Sequence, residues 1–179
     1  MKKTDLGIAK DQLVSVRVGR NSTRSMNPVE FESIKNRLLA IKGVADVTRA
    51  SEKPINDSGF EDDISFSDNV LSVESRYVDP NYFITIGGKI VKGRDFTYTL
   101  LATDSVQSII LNETAFKQLG LLKENTQINI VRDDENVKVN VVGVVKDIQA
   151  YGFEQVIMPT AYLVNDYPSH WRSNIIFRL

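Results

Sequence analysis

The alternation of Val14, Val16 and Val18 with Ser15 and Arg17 restricts the fold more than any other feature of the chain. Apolar side chains at every second position line one face of an extended strand, so Gln12 to Val18 reads as a half-buried strand. After a polar loop, Asn27 supplies a helix N-cap, Pro28 fits the first helical position, and Glu30 is placed to bond back to the cap. Phe31, Ile34, Leu38 and Ile41 then share one helical face. Gly43 stops the helix, because glycine enters the left-handed region without a Cβ penalty. Val44 to Ala50 forms the returning strand and completes a β-α-β unit.

The same punctuation continues downstream. Ser51 to Asn69 is polar and acidic and reads as a long loop or loose hairpin. Val70 to Val78 has strand character, with Leu71, Val73 and Tyr77 on one side. Asp79-Pro80 looks like a second cap-plus-proline start for a short helix bearing Tyr82, Phe83 and Ile86, ended by Gly87-Gly88. Ser108 to Leu111 is a short buried strand. It leads to a helix capped by Asn112, with Phe116 and Leu119 inward and Gly120 as its stop. Gln127 to Val131 and Val137 to Val145 flank a charged turn, and Gly143 inside the second strand signals a bulge or a close backbone approach. Thr160 to Val164 and Asn174 to Leu179 complete the strands. Elements interleave irregularly, which favours α+β over a doubly wound sheet.

Catalytic chemistry is hard to place on this chain. No cysteine is present, which removes thiol nucleophiles, disulfides and cysteine-ligated metals. The one histidine, His170, sits in a loop before the last strand and reads as a surface residue. Glu61-Asp62-Asp63 and Asp133-Asp134-Glu135 lack the spacing of a calcium loop and read as solvated turns. Gly87-Gly88 and Gly93 do not make a phosphate-binding loop. Asn21-Ser22-Thr23 and Asn112-Glu113-Thr114 match glycosylation sequons but read as loop and helix cap. The net charge of −1 leaves no basic stripe for a phosphate backbone, so nucleic acid is excluded as a partner. Tyr151, Phe153 and Trp171 are either a partner-binding patch or core anchors. No metal ligands, cofactor site or enzyme active site is expected.

Nor does the chain show a stretch of about 20 apolar residues that could span a bilayer. Thr4-Asp5 after Met1-Lys2-Lys3 argues against a signal peptide.

Several stretches together resemble one family. Asp5 to Gln12 is similar to the segment beyond the first membrane helix of certain bacterial transporter permeases. Tyr77-Val78-Asp79-Pro80-Asn81-Tyr82-Phe83, followed by Lys92-Gly93-Arg94-Asp95-Phe96, resembles their signature pair. Ile110-Leu111-Asn112-Glu113-Thr114-Ala115 and Val142-Gly143-Val144-Val145-Lys146-Asp147-Ile148 match two further motifs, and Pro159 sits where the family places a proline before a strand. The chain thus resembles the MacB-like periplasmic core domain of ABC transporter permeases, of the MacB, FtsX and LolC/LolE type.

That resemblance implies a two-lobed α+β domain. Residues 9–78 with 151–179 would form a porter-like β-α-β lobe, and 79–150 an inserted small α+β subdomain. It implies a non-catalytic domain on the periplasmic face of the inner membrane, moved by a cytoplasmic ATPase subunit. A second permease subunit and a periplasmic adaptor or cargo protein would be its partners. The alternative is a stand-alone periplasmic ligand- or protein-binding module. Family members continue past the strand matching Ser173 to Leu179 with another helix and strand. The expectation is therefore either a cut piece, whose last strand is a free edge that self-associates weakly, or a lobe built differently.

Overall fold

The computed structural model describes residues 6–9, 12–18, 28–55, 57–96, 108–124, 126–132, 135–151, 155–164 and 174–179. The architecture is mixed α and β, dominated by sheet, with few and short helices. In chain order the elements are β1 (Leu13–Arg17), α1 (Pro28–Leu39), β2 (Asp46–Ala50), β3 (Phe60–Phe66), β4 (Asn69–Tyr77) and α2 (Tyr82–Ile86). There follow β5 (Ile90–Gly93), β6 (Ser108–Asn112), α3 (Glu113–Gln118), β7 (Thr126–Arg132), β8 (Glu135–Val145), β9 (Thr160–Leu163) and β10 (Asn174–Arg178).

A small sheet has the order β1-β10-β2, with both pairings antiparallel. β1 and β2 therefore run parallel with β10 between them, and α1 is the crossover that parallel strands require. The apolar stripe of α1 covers one face: Phe31 packs with Val47 and Ile175, and Ile34, Leu38, Val44 and Phe177 close around them. The expected free edge at the C-terminus is not there. β10 is the central strand, laddered on both sides, and Ile175 and Ile176 are buried. Its apolar side chains on both faces reflect a covered centre rather than a missing neighbour.

The second sheet has the order β5-β8-β6-β9-β4-β3-β7, and β7 also pairs with β8. That additional pairing closes β8, β6, β9, β4, β3 and β7 into a barrel, with β5 added beside the end of β8. Closure removes sheet edges and encloses one apolar interior. Ile64, Val73, Ile109, Leu111, Ile128, Ile130, Val139, Val141 and Leu163 fill it, joined by Ala115, Phe116 and Leu119 from α3 and the turn after it. A second cluster lies between barrel and small sheet. There α2 buries Tyr82, Phe83 and Ile86 against Ala50, Val78, Ile110, Val145, Tyr162 and Ile176.

Strand pairing departs from the expected division at Asp79. β3, β4 and β9, assigned to the porter-like segments, lie in the large sheet with the strands of 79–150. The cause is long-range pairing: β4 runs parallel to β9, and β3 meets β7 at Ile64↔Ile130 and Ser65↔Asn129. The stretch expected as a loop also contains a strand. β3 makes a seven-position ladder with β4 from Phe60↔Ser75 to Phe66↔Asn69, turning at Ser67-Asp68 with Ser67 at φ 52°. Glu61 and Asp63 are thus exposed strand residues rather than turn residues, with Phe60, Asp62, Ile64 and Phe66 on the opposite face.

Other local expectations hold. Gly43, Gly87 and Gly120 take positive φ at helix ends. The Asn112 side chain accepts from the amide of Ala115, as a cap should. In the β6–β8 ladder the register slips between Ile109↔Val141 and Ile110↔Gly143, so Val142 is bulged. A Cβ on Gly143 would lie 2.2 Å from the Arg94 carbonyl oxygen, and one on Gly93 would lie 2.3 Å from that of Val142. Glycine is what lets the two backbones cross there. Asn27, the proposed cap of α1, lies outside the described residues.

Candidate functional site

Asp79 does not cap α2. The residue at the cap is Asn81, whose side chain makes no capping bond there. Asp79 instead faces Arg49 on β2: Arg49 Nε donates to Oδ2 at 2.9 Å and Nη2 donates to Oδ1 at 3.3 Å. Both side chains are almost fully buried, and the guanidinium also lies 4.3 Å from the centre of the Phe31 ring. A bidentate pair of this kind fixes geometry as well as charge. It lies between the small sheet and the entry to α2. Around it, Asn81 Nδ2 donates to the Val47 carbonyl, Asn174 Nδ2 donates to the Ser51 carbonyl, and the Ser51 amide donates to the Tyr77 carbonyl. These bonds clamp the small sheet to the barrel where the chain passes from β2 to β3.

A second polar cluster stands on β4. Arg76 is only 3% exposed. Its Nε donates to Glu74 Oε1 at 2.7 Å, Nη1 to the Lys53 carbonyl at 2.8 Å, and Nη2 to the Asp57 carbonyl at 2.6 Å. Glu74 Oε1 also accepts from the Gly59 amide, and its Oε2 accepts from the Tyr151 hydroxyl at 2.6 Å. One ion pair therefore holds the 53–59 linker and Tyr151 together. Burial pushes the Tyr82 hydroxyl up to about 12, raises that of Tyr162 further, and with Glu74 raises that of Tyr151. All three stay protonated at neutral pH. Glu52, 6% exposed, is pushed up to about 7 by burial, against the pull of the Ser51 hydroxyl and Arg76.

The third arrangement sits at the end of α3. Asn112 Oδ1 accepts from the amides of both Ala115 and Thr160, while its Nδ2 donates to the Met158 carbonyl. Asp147 accepts from the amide and hydroxyl of Thr114, and its own amide donates to Glu113. Two motifs far apart in sequence thus meet at one helix N-terminus, where carboxylate and amide oxygens satisfy otherwise orphaned amides. Asn112 is buried and fully engaged, which rules out its use as a glycosylation acceptor.

Outside the barrel, the β3–β4 ribbon and the segment before β9 enclose a groove of about 560 Å³. Its walls include Phe60, Glu61, Ser72, Glu74, Tyr151, Val156 and Met158. Of the three aromatic residues proposed as partner contacts, Tyr151 lines this groove and is half-buried. Phe153 and Trp171 lie outside the described residues, as does His170. Sequence reasoning missed the Glu74–Arg76 pair: alternation on β4 put both on the polar, outward face, and nothing local revealed that the linker and Tyr151 cover them. Among the described residues, no group of His, Asp or Glu could hold a metal ion, and no helix is long and apolar enough to cross a membrane.

No curated protein sequence matches the chain. Solved structures that share its fold include the following three. The periplasmic region of MacB from Actinobacillus actinomycetemcomitans has a TM-score of 0.63 at 16% identity, over 99% of this chain and 78% of that one. A domain of a putative permease protein from Porphyromonas gingivalis has a TM-score of 0.61 at 14% identity, covering 94% and 75%. The extracellular domain of the noncanonic ABC-type transporter YknZ from Gram-positive bacteria has a TM-score of 0.58 at 14% identity, covering 93% and 82%. The family described as MacB-like periplasmic core domain matches residues 1–179, the whole length, and the chain belongs to that family.

Proposed function

We propose that this domain does no chemistry of its own and transmits ATP-driven movement of a permease to a partner or cargo at the periplasmic face of the inner membrane. The observation that carries the proposal is the clamp. The buried Arg49–Asp79 pair and the bonds from Asn81, Asn174 and Ser51 tie the small sheet to the barrel. A piece that passes on force has to keep its shape, and hydrogen-bonded buried polar contacts favour a single arrangement over sliding ones. The small sheet with α1 forms one lobe, the barrel the other, and α2 is wedged between them. Polar residues that could have served a reaction are occupied internally: Asn112 and Asp147 cap α3, and Glu74 holds Arg76. The moving partners are a cytoplasmic ATPase subunit and a second permease subunit.

Leu122 is 91% exposed, and the chain has no cysteine, so Leu122→Cys gives a clean labelling site. A spin label there, paired with one on the parent permease's membrane helices, reports domain displacement. Adding ATP to the assembled transporter should shift the distance distribution. An unchanged distribution in a transporter that hydrolyses ATP would refute the proposal.

A further inference from the structure

We infer that the groove beside β4 is a docking site for an extended peptide segment of a partner protein, one carrying apolar side chains and at least one lysine or arginine. Three observations converge on it. In the parallel β4–β9 ladder, pairing begins at Glu74↔Thr160, so Ser72 and Val73, the two preceding β4 residues that line the groove, have β3 alone as a described strand neighbour. Pro159 still accepts from the Glu74 amide, and before it Gln155, Val156 and Met158 line the groove. An open strand edge inside a groove is what an added strand pairs with, its main chain supplying hydrogen bonds and its alternate side chains specificity.

The walls are apolar and adaptable. Val156 is 84% exposed and Met158 49% exposed, and both line the groove rather than the barrel interior. Methionine has an unbranched, polarisable side chain that fits varied apolar partners. A volume of about 560 Å³ lies within the range of roughly 300–1,000 Å³ typical of built ligand sites.

Charge selects the occupant. Glu74 is neutralised from below by Arg76 and bonded by Tyr151, so it offers no net charge to the groove. Glu61 lies exposed at the wall, held by the Ser72 hydroxyl at 3.0 Å, and Asp63 lies exposed two residues further along the same face of β3. Among the described residues, no lysine or arginine lines the groove. A cationic side chain beside apolar ones complements that surface, and an acidic peptide is repelled by it.

This deepens the partner contact of the mechanical reading, and its test needs neither ATPase nor membrane, so the two can fail separately. Fluorescein-labelled Val-Lys-Val-Lys-Val-Lys-Val and its glutamate counterpart are titrated with the 179-residue chain, and anisotropy is recorded. The lysine peptide should bind saturably and the glutamate peptide at least tenfold more weakly. Val156→Asp and Glu61→Lys, both at exposed positions, should each weaken the lysine peptide about tenfold. Leu122→Asp, a control away from the groove, should leave it unchanged. Thermal melts confirm that each variant is folded. Equal binding of the two peptides, no binding of the lysine peptide, or insensitivity to both groove variants would overturn the inference.

Discussion

Replacing Glu52 with glutamine isolates the energetic cost of placing a carboxylate at the junction between the two sheets. Burial raises this group from its ordinary 4.5 to about 7, with Asp57 and Glu74 adding to the rise while Ser51 and Arg76 oppose it. Between those two values the folded chain keeps a proton that the unfolded chain has lost. Stability therefore falls as pH rises through this window, because the folded state binds more protons there. The favourable contribution is complete below about 4.5 and gone above about 7. At about 1.4 kcal/mol per pKa unit, the gap corresponds to roughly 3 kcal/mol. Glutamine has nearly the same shape, can still accept from the Ser51 hydroxyl, and carries no charge to desolvate.

The two proteins should thus be similar in stability near pH 4.5, while Glu52→Gln should be the more stable by roughly 2–3 kcal/mol at pH 8.5. For a chain of this size that is a melting shift on the order of 4–12 °C. Urea unfolding followed by circular dichroism at half-unit pH steps gives the two stability curves. Asp95 is pushed up to about 6, also by burial, so it tilts both curves in the same sense and cancels in their difference. Parallel curves across the window would refute the reasoning and place Glu52 in contact with water.

Asn112→Ala removes the acceptor for two amides and should cost about 2–4 kcal/mol, more than a cap alone, because the Thr160 amide is left unpaired in a buried strand. Thermal melting checks this. Gly143→Ala drives a Cβ into the Arg94 carbonyl and should cost roughly 3 kcal/mol or fail to fold; Ala at Gly120, which has open space but φ 78°, should cost only about 1–2 kcal/mol. Arg49→Met or Asp79→Leu alone takes the bidentate partner away from a buried charge and should cost about 3–5 kcal/mol, whereas the double variant should recover most of it. A urea-melt double-mutant cycle measures the recovery.

Local signals carried much of the fold. The Asn112 cap, the glycine stops and the presence of β1 each depend on a few neighbouring residues and are legible in the sequence, although Val16 and Val18, expected on the buried face, stand 47% and 37% exposed. Gly143 announced itself because glycine inside a valine-rich strand has few other uses. Asp79-Pro80 misled for a related reason: an aspartate before proline reads as a cap, yet a buried arginine 30 positions away binds it more strongly. β3 was hidden because its outward residues Glu61 and Asp63 look like loop, while its inward face is interrupted by Asp62. The barrel could not be read at all. It depends on β7 finding β3 and on β4 finding β9 over long stretches of intervening chain, and such pairings leave no short-range trace.

The candidate site follows the same division. Tyr151 was visible as one of three aromatic residues that could be a partner patch or core anchors, but its meaning comes from Glu74, which lies 77 positions earlier. Glu74 bonds Tyr151 at the groove, the Gly59 amide at the end of the linker, and Arg76 beneath. Arg76 in turn holds the carbonyls of Lys53 and Asp57, and that same linker is the covalent path from the small sheet to the barrel. Glu52 lies at the start of it. A strand added beside β4 would press on Tyr151 and so on a network whose other end positions the small sheet. The clamp and the groove are therefore two ends of one chain of contacts, and a partner bound in the proposed groove would act on the connection that the mechanical proposal requires to be stiff.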